Sequence, residues 1–314
     1  MSAIRVCFLG TPNFAATHLE SLLQNKNYQI VAVVTQPDRP AGRKMQLTTS
    51  AVKELALKNN LTVLTPENLR KEPEAFEKIK SCKADIAIVV AFGQILSQEF
   101  LESFKFGAVN VHGSLLPLWR GAAPIQRSLE AGDKVSGVSL QKIVKKLDAG
   151  DVIAERRVEL NSEINATELY QKLSLLGCEL VNQELLSYIK GEIQPQKQDE
   201  SKVTVAAKIE KEESLIDWSQ SAAKIHNKVR AFTMGPGTYV MLQGKRLKIH
   251  KTKVINTHEK TFASQIFSLT AQELIIETSQ GLLSLLEVQP ESKPKMAIQD
   301  FIKSVTLKKG DRFV

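Results

Sequence analysis

Residue types able to carry a proton and to steady a negative charge fall into two short stretches of the chain. Residues 108–113 read Ala-Val-Asn-Val-His-Gly, and residues 147–151 read Leu-Asp-Ala-Gly-Asp. Side chains alternate across a strand, so Asn110 and His112 share one face and Val109 and Val111 the other. An amide donor beside an imidazole suits acyl chemistry, because the amide can stabilise an oxyanion and the imidazole can move a proton. A hydrogen-bonded structural pair is the competing reading, and N-x-H by itself is a weak signal. Asp148, in its glycine turn, is either a turn device or a carboxylate that orients and charges a histidine. The segment from 114 runs Ser-Leu-Leu-Pro-Leu-Trp-Arg-Gly-Ala-Ala-Pro-Ile. Its Leu-Leu-Pro could bed a flat apolar ligand, Gly121-Ala122-Ala123 lets backbone approach closely, and Pro124 suits the start of a helix.

These groups need a scaffold. Strands are expected over 4–9, 30–35, 61–64, 85–91 and 107–112, with a helix over 14–23. Residues 85–91, DIAIVVA, are apolar on both faces, as in a central parallel strand covered by helices on both sides. The repeated β-α-β pattern argues an open, doubly wound α/β sheet, where ligands bind beyond the carboxyl ends of the strands. A long helix is expected over 169–189 and a polar linker over 191–207. Helix 216–232 should follow. Five short strands, 238–242, 247–255, 264–269, 273–278 and 282–288, then suggest a small β-barrel or sandwich.

The chain of 314 residues has 42 Lys and Arg against 34 Asp and Glu, a net charge of +8. The excess lies late: residues 208–314 hold 17 basic and 11 acidic groups. Between Ser219 and His258 there is no acid, against eight bases: Lys224, Lys228, Arg230, Lys245, Arg246, Lys248, Lys251 and Lys253. Such a block makes a positive field suited to a polyanion such as nucleic acid, or is simply a solvated basic face. Cys7, Cys82 and Cys178 are far apart and form no zinc spacing, which points to buried thiols in a reducing compartment. No apolar run approaches the roughly 18 residues of a membrane span, and none near the start resembles a secretory signal. The dinucleotide fingerprint, P-loop, H-E-x-x-H and G-x-S-x-G motifs are all missing.

Taken together, NVHGSLLP, WRGAAPIQRSLEAGD and LDAGD resemble the 10-formyltetrahydrofolate-dependent formyltransferases, and the likeness runs from Ile4 to the C-terminus. The resemblance implies formyl transfer from 10-formyltetrahydrofolate, with Asn110, His112 and Asp148 catalytic and no metal. It implies folate contacts from Ser114, Leu115, Leu116 and Pro117, and from Phe92, Gly93, Gln94, Ile95 and Leu96. Gly10-Thr11-Pro12, residues 35–43 and Arg230-Ala231-Phe232 are most similar to members whose acceptor is the initiator methionyl-tRNA. The implied architecture is a Rossmann-like catalytic domain over 1–190, a linker over 191–207 and an OB-like β-barrel tRNA-binding domain over 208–314. The implied protein is monomeric and cytoplasmic, without membrane contact. Arg39, Arg43 and Lys44, in an exposed and partly mobile loop over 36–49, and Lys245, Arg246 and Lys248 are the expected tRNA contacts. The sequence departs from the family at Val144-Lys145-Lys146, where acidic and glycine residues are usual, and at Thr233-Met234-Gly235-Pro236, where Asn-Pro-Trp-Pro is frequent. A small-amine formyltransferase or folate hydrolase of the family, and a non-enzymatic RNA-binding protein, remain as alternatives.

Overall fold

A computed structural model describes residues 3–41, 45–255 and 263–313. The chain divides into two compact units. The first comprises Met1–Gly121, Val135–Val158 and Tyr170–Ala206; the second comprises Ala122–Lys134, Glu159–Leu169 and Ala207–Val314.

In chain order the first half holds β1 (Ile4–Gly10), α1 (Asn13–Leu23), β2 (Tyr28–Val34), β3 (Arg39–Ala41), β4 (Gln46–Thr48), α2 (Ala51–Lys58), β5 (Val63–Leu64), α3 (Pro73–Ser81), β6 (Ile86–Val90), α4 (Gln98–Glu102), β7 (Ala108–His112) and β8 (Arg120–Gly121). Next come α5 (Pro124–Ala131), β9 (Val135–Lys142), β10 (Val152–Glu159), α6 (Ala166–Ile189) and β11 (Val205–Ala206). Among the described residues the first unit forms a seven-stranded sheet in the order β10-β9-β7-β6-β1-β2-β5. Its strands from β5 to β7 are parallel, and β9 runs antiparallel to β7. The chain builds outward from β1 through β2 to β5, then crosses to β6 and β7, so the direction of winding reverses between β1 and β6. The doubly wound, mostly parallel architecture expected from the repeated β-α-β pattern is the one observed.

Local chemistry starts the helices. Ser50 caps α2 by accepting from the Lys53 amide, and Ser97 caps α4 by accepting from the Phe100 amide, each satisfying an otherwise unpaired donor. Gly10 lets α1 lie close to the sheet: a Cβ there would fall 2.5 Å from the Ala15 Cβ on α1 and 2.8 Å from the Val90 carbonyl oxygen on β6.

His18, on α1, is buried at 1% exposure, with Nδ1 2.7 Å from the Phe14 carbonyl. Burial pushes its pKa down from the usual 6.5 to about 4. The unfolded chain therefore takes up a proton that the folded chain refuses, so stability falls as pH drops from 6.5 towards 4. The shift corresponds to about 3 kcal/mol at roughly 1.4 kcal/mol per unit. Urea melts over that pH range should show a slope that His18→Gln flattens; an unchanged slope would exclude His18 as its source.

The second unit continues with α7 (Ala222–Ala231), β12 (Thr238–Leu242), β13 (Lys245–Ile255), β14 (Ile266–Leu269), β15 (Leu274–Glu277), β16 (Leu282–Pro290), β17 (Met296–Ala297) and α8 (Ile298–Lys303). Its strands pair antiparallel around a core that includes Trp218, Ile225, Val240, Leu285 and Phe313. Within this unit α5 packs on α7.

Four local expectations change. The helix expected over 216–232 begins only at Ala222, because Asp217 accepts from the Ser219 amide and Ser221 from the Lys224 amide, which favours a turn and a cap over a helix interior. Within residues 36–49, β3 pairs antiparallel with β4. The polar stretch 191–207 contributes β11, paired in parallel with β8. Cys7 and Cys178 are buried, but Cys82 is only half-buried, since it follows α3 at the helix C-cap.

Candidate active site

Strand β7 carries the centre. His112 is 6% exposed, with Nε2 2.9 Å from the Trp119 carbonyl oxygen. Its Nδ1 lies 3.7 Å from Asp148 Oδ2, too long for a hydrogen bond but close enough for direct charge interaction. Both ring nitrogens thus face oxygen atoms, Nε2 within hydrogen-bond distance and Nδ1 beyond it. Among the described residues none hydrogen-bonds the side-chain amide of Asn110, which is half-buried. The structure therefore brings Asn110, His112 and Asp148 together in one unit.

Asp148 is tightly held. Its Oδ2 accepts from the Gly121 amide at 2.9 Å and its Oδ1 from Gln141 Nε2 at 3.0 Å. Gln141, 1% exposed, pairs directly with Asn110 across β9 and β7, so the two share a sheet face. Asp148 itself has φ 49° and Trp119 φ 60°, a left-handed conformation that costs non-glycine residues roughly 1–3 kcal/mol. Gly121, at φ 125°, admits no side chain, because a Cβ would sit 2.7 Å from the Ala206 carbonyl oxygen. Lys146, at the departure from the family pattern, forms an ion pair with Glu200 at 2.6 Å. Arg120 and Lys146 together hold the Glu200 carboxyl down to about 2.

The connection after β7 and the one after β6 leave the same edge of the sheet, since the two strands are adjacent and parallel. Ser114 is buried and its hydroxyl donates to the Leu118 carbonyl. Ser139, on β9, donates to the Ser114 carbonyl and accepts from the Leu116 amide, so it fixes the shape of 114–117. Leu115 and Pro117 are half-buried, whereas Leu116 is buried. Phe92 turns its ring into the core, and its carbonyl accepts from Thr11 and Gln36. Gln94 is occupied by the Leu69 amide and the Pro66 carbonyl. Leu96 packs against the core, whereas Ile95 is 72% exposed. What this segment offers a ligand is Gly93 backbone, at φ 83° with open space at its Cβ apart from Gln36 Nε2 at 3.6 Å, and the Ile95 side chain. These elements follow β6 and β7, the adjacent parallel strands of which β7 carries Asn110 and His112.

The expected tRNA contacts belong to both units. Arg39 is exposed and lies 3.8 Å from Glu67. Arg43 and Lys44 lie outside the described residues. Lys245, Arg246 and Lys248 are exposed on β13. A bulge after Ile249 shifts the register, so Lys251 and Lys253 are exposed as well, while Leu247, Ile249 and Thr252 are buried. Arg246 also stacks 4.1 Å above the Tyr239 ring. Arg230 is a correction to the expected basic block: it is 7% exposed and donates to the carbonyls of Ile164 and Asn161. Burial lowers its pKa from the usual value. Its charge serves backbone inside the second unit, where a planar fork can bridge several carbonyls at once.

Gln141, Ser139 and Gln198 were not singled out from the sequence. A usable signal was present for the first two, since Ser139 and Gln141 alternate on one face as Asn110 and His112 do.

Residues 4–185 match the formyl transferase family and residues 208–306 its C-terminal domain. The methionyl-tRNA formyltransferase of Bdellovibrio bacteriovorus is 56% identical, covering 99% of each chain. That of Bacillus subtilis is 40% identical over 98% of this chain and 96% of its own. Among solved structures, an N-formyltransferase from Helicobacter canadensis in complex with folinic acid and dTDP-3-aminofucose has a TM-score of 0.65 at 20% identity, covering 91% of this chain and 99% of its own. Phosphoribosylglycinamide formyltransferase from Bacillus halodurans has a TM-score of 0.52 at 19% identity, covering 60% and 96%. At such identities the structures share the fold. The two family matches, together spanning most of the chain, and the near-full-length sequence relatives place the chain in the formyl transferase family, in its methionyl-tRNA formyltransferase branch.

Proposed function

We propose that this protein transfers a formyl group from 10-formyltetrahydrofolate to the α-amino group of initiator methionyl-tRNA. The observation that carries the reading is the meeting of Asn110, His112 and Asp148 at one end of β7, in a chain 56% identical over its length to a methionyl-tRNA formyltransferase. The folate supplies the formyl group when bound. Gly93 backbone, Ile95, Leu115 and Pro117 would hold it.

The attacking amine must be neutral. As it adds to the formyl carbon, negative charge grows on the formyl oxygen, and the Asn110 amide donates to it. His112 moves the proton between the attacking and departing nitrogens through Nδ1, since its Nε2 is bonded to the Trp119 carbonyl. Asp148, 3.7 Å from Nδ1, offsets the positive charge of the protonated ring without a hydrogen bond. A positioned acid or base contributes about 10²–10⁴-fold in rate.

Transfer of labelled formyl to charged initiator tRNA, charged elongator tRNA and an amino sugar nucleotide tests the reading. Label on methionyl-tRNA is the expected result, with the initiator preferred. Label only on the small amine would replace it with a small-substrate enzyme.

The outward face of β13 is proposed as a phosphate-binding surface. Replacing Arg246, Lys248, Lys251 and Lys253 by glutamine should flatten the dependence of log Kd on log salt, by up to roughly 0.7–0.9 per lost contact. An unchanged slope would leave this face merely solvated. Deleting residues 208–314 is a poorer test, since α5 in the remaining chain would lose its packing on α7.

A further inference from the structure

The polar stretch 191–207 buries an amide that bonds the catalytic turn and its neighbour at once. Gln198 is 7% exposed. Its Nε2 donates to the Asp148 carbonyl at 2.8 Å and to the Gly150 carbonyl at 2.7 Å. Its Oε1 accepts from Arg120 Nε at 3.0 Å and Nη2 at 2.8 Å. Arg120, 5% exposed, is joined to Gly121, whose amide holds the Asp148 carboxylate. The Gln198 side chain therefore closes a ring: Arg120, Gly121, the carboxylate of Asp148, the backbone of Asp148, and back to Arg120.

We propose that Gln198 is a positioning residue, which holds the Asp148 turn at the distance and orientation its carboxylate needs to face His112. The proposal rests on the formyl-transfer reading above. Two features of the site favour it over a merely structural staple. Asp148 sits at a left-handed φ, a conformation that persists only when its surroundings over-determine it. The gap between Asp148 Oδ2 and His112 Nδ1, 3.7 Å, is too long for a hydrogen bond to hold, so the anchoring of the turn, and not the pair itself, sets it. Neither strand pairing nor core packing supplies what the amide does, because only a group with both donor and acceptor ends can join two carbonyls to a guanidinium.

The test uses the full-length protein, with formylation of methionyl-tRNA as the assay. Gln198→Met keeps the volume and removes every hydrogen bond. Gln198→Glu keeps acceptance from Arg120 and loses donation to the two carbonyls, and so reads the same link if the methionine variant fails to fold. Each should lower kcat by about 10–100-fold, as a displacement near 1 Å does, with KM for folate and for tRNA within about twofold of wild type. In an Asp148→Asn background the same substitutions should cost less than about threefold, because residues acting through one another are not additive. A folded variant with wild-type kcat overturns the proposal. So does an equal fall in both backgrounds, which would mean a role independent of Asp148. An inactive wild type overturns the formyl-transfer reading itself, and this proposal with it.

Discussion

Replacing His112 by alanine lowers kcat by roughly 10²–10⁴-fold, the range for a lost general acid or base. Asn110→Ala costs about 10²–10³-fold, as removal of an oxyanion donor does. The two should differ in their accompanying effects. His112 is buried and bonded to the Trp119 carbonyl, so His112→Ala also unpairs a backbone group and should lower Tm. Asn110 lends its amide to no other described residue, so Asn110→Ala should leave Tm near wild type. For the carboxylate, Asp148→Asn is the informative change. Asparagine tolerates the left-handed φ of 49° and can still accept from Gly121 or Gln141, but it carries no charge to set against the imidazolium. Its kcat should fall with the fold intact by circular dichroism. Transfer rates for all three within about tenfold of wild type, below the range of general acid–base groups, would remove the trio from the chemistry.

Gly150→Ala is expected to damage both stability and rate. A Cβ at Gly150 would fall within the Lys142 carbonyl group, which is backbone and cannot rotate aside. The Lys142 amide bonds the Asp151 carbonyl at 2.9 Å, closing the connection between β9 and β10 at this point. Opening it moves Asp148, two residues away. Overpacking of this kind costs roughly 1–3 kcal/mol, and the upper end is expected here. The displaced carboxylate should lower kcat by about 10²-fold. Gly107→Ala is the matching control. Its φ is 69° with nothing within 4 Å of an added Cβ, so it adds backbone strain of roughly 1–2 kcal/mol without overlap. Its kcat should be preserved. Melting curves and single-turnover rates decide; a Gly150→Ala protein that melts and turns over like wild type would show that the turn relaxes freely.

Much of this protein is legible in the amino-acid order because local patterns and tertiary demands coincide. The run that became β6 is apolar on both faces and wholly buried, as a central strand covered by helices on both sides requires. Asn110 and His112 share a face by strand periodicity alone, whatever surrounds them. The motifs around them, with LDAGD, suffice to recognise the family. The positions of β9 and Gln198 were decided by the tertiary structure. Strand β9 reads VSGVSLQK, too polar to announce a buried strand, yet from Ser136 to Gln141 it is buried. Two of its polar side chains are satisfied by groups outside the strand: Ser139 by the backbone of Ser114 and Leu116, and Gln141 by Asp148 in the turn that follows. A polar residue signals exposure only until its partner is known. The same holds for Arg230, one more charge in a basic run until the carbonyls of Asn161 and Ile164 enclose it. Gln198 stands in a stretch with the composition of a linker, GEIQPQKQDESKVTVAA, and nothing local separates it from Gln194 or Gln196. Only the folded chain brings the carbonyls of Asp148 and Gly150 to one side of it and Arg120 to the other, and hydrogen bonds between groups some 50 to 80 residues apart have no periodicity to read.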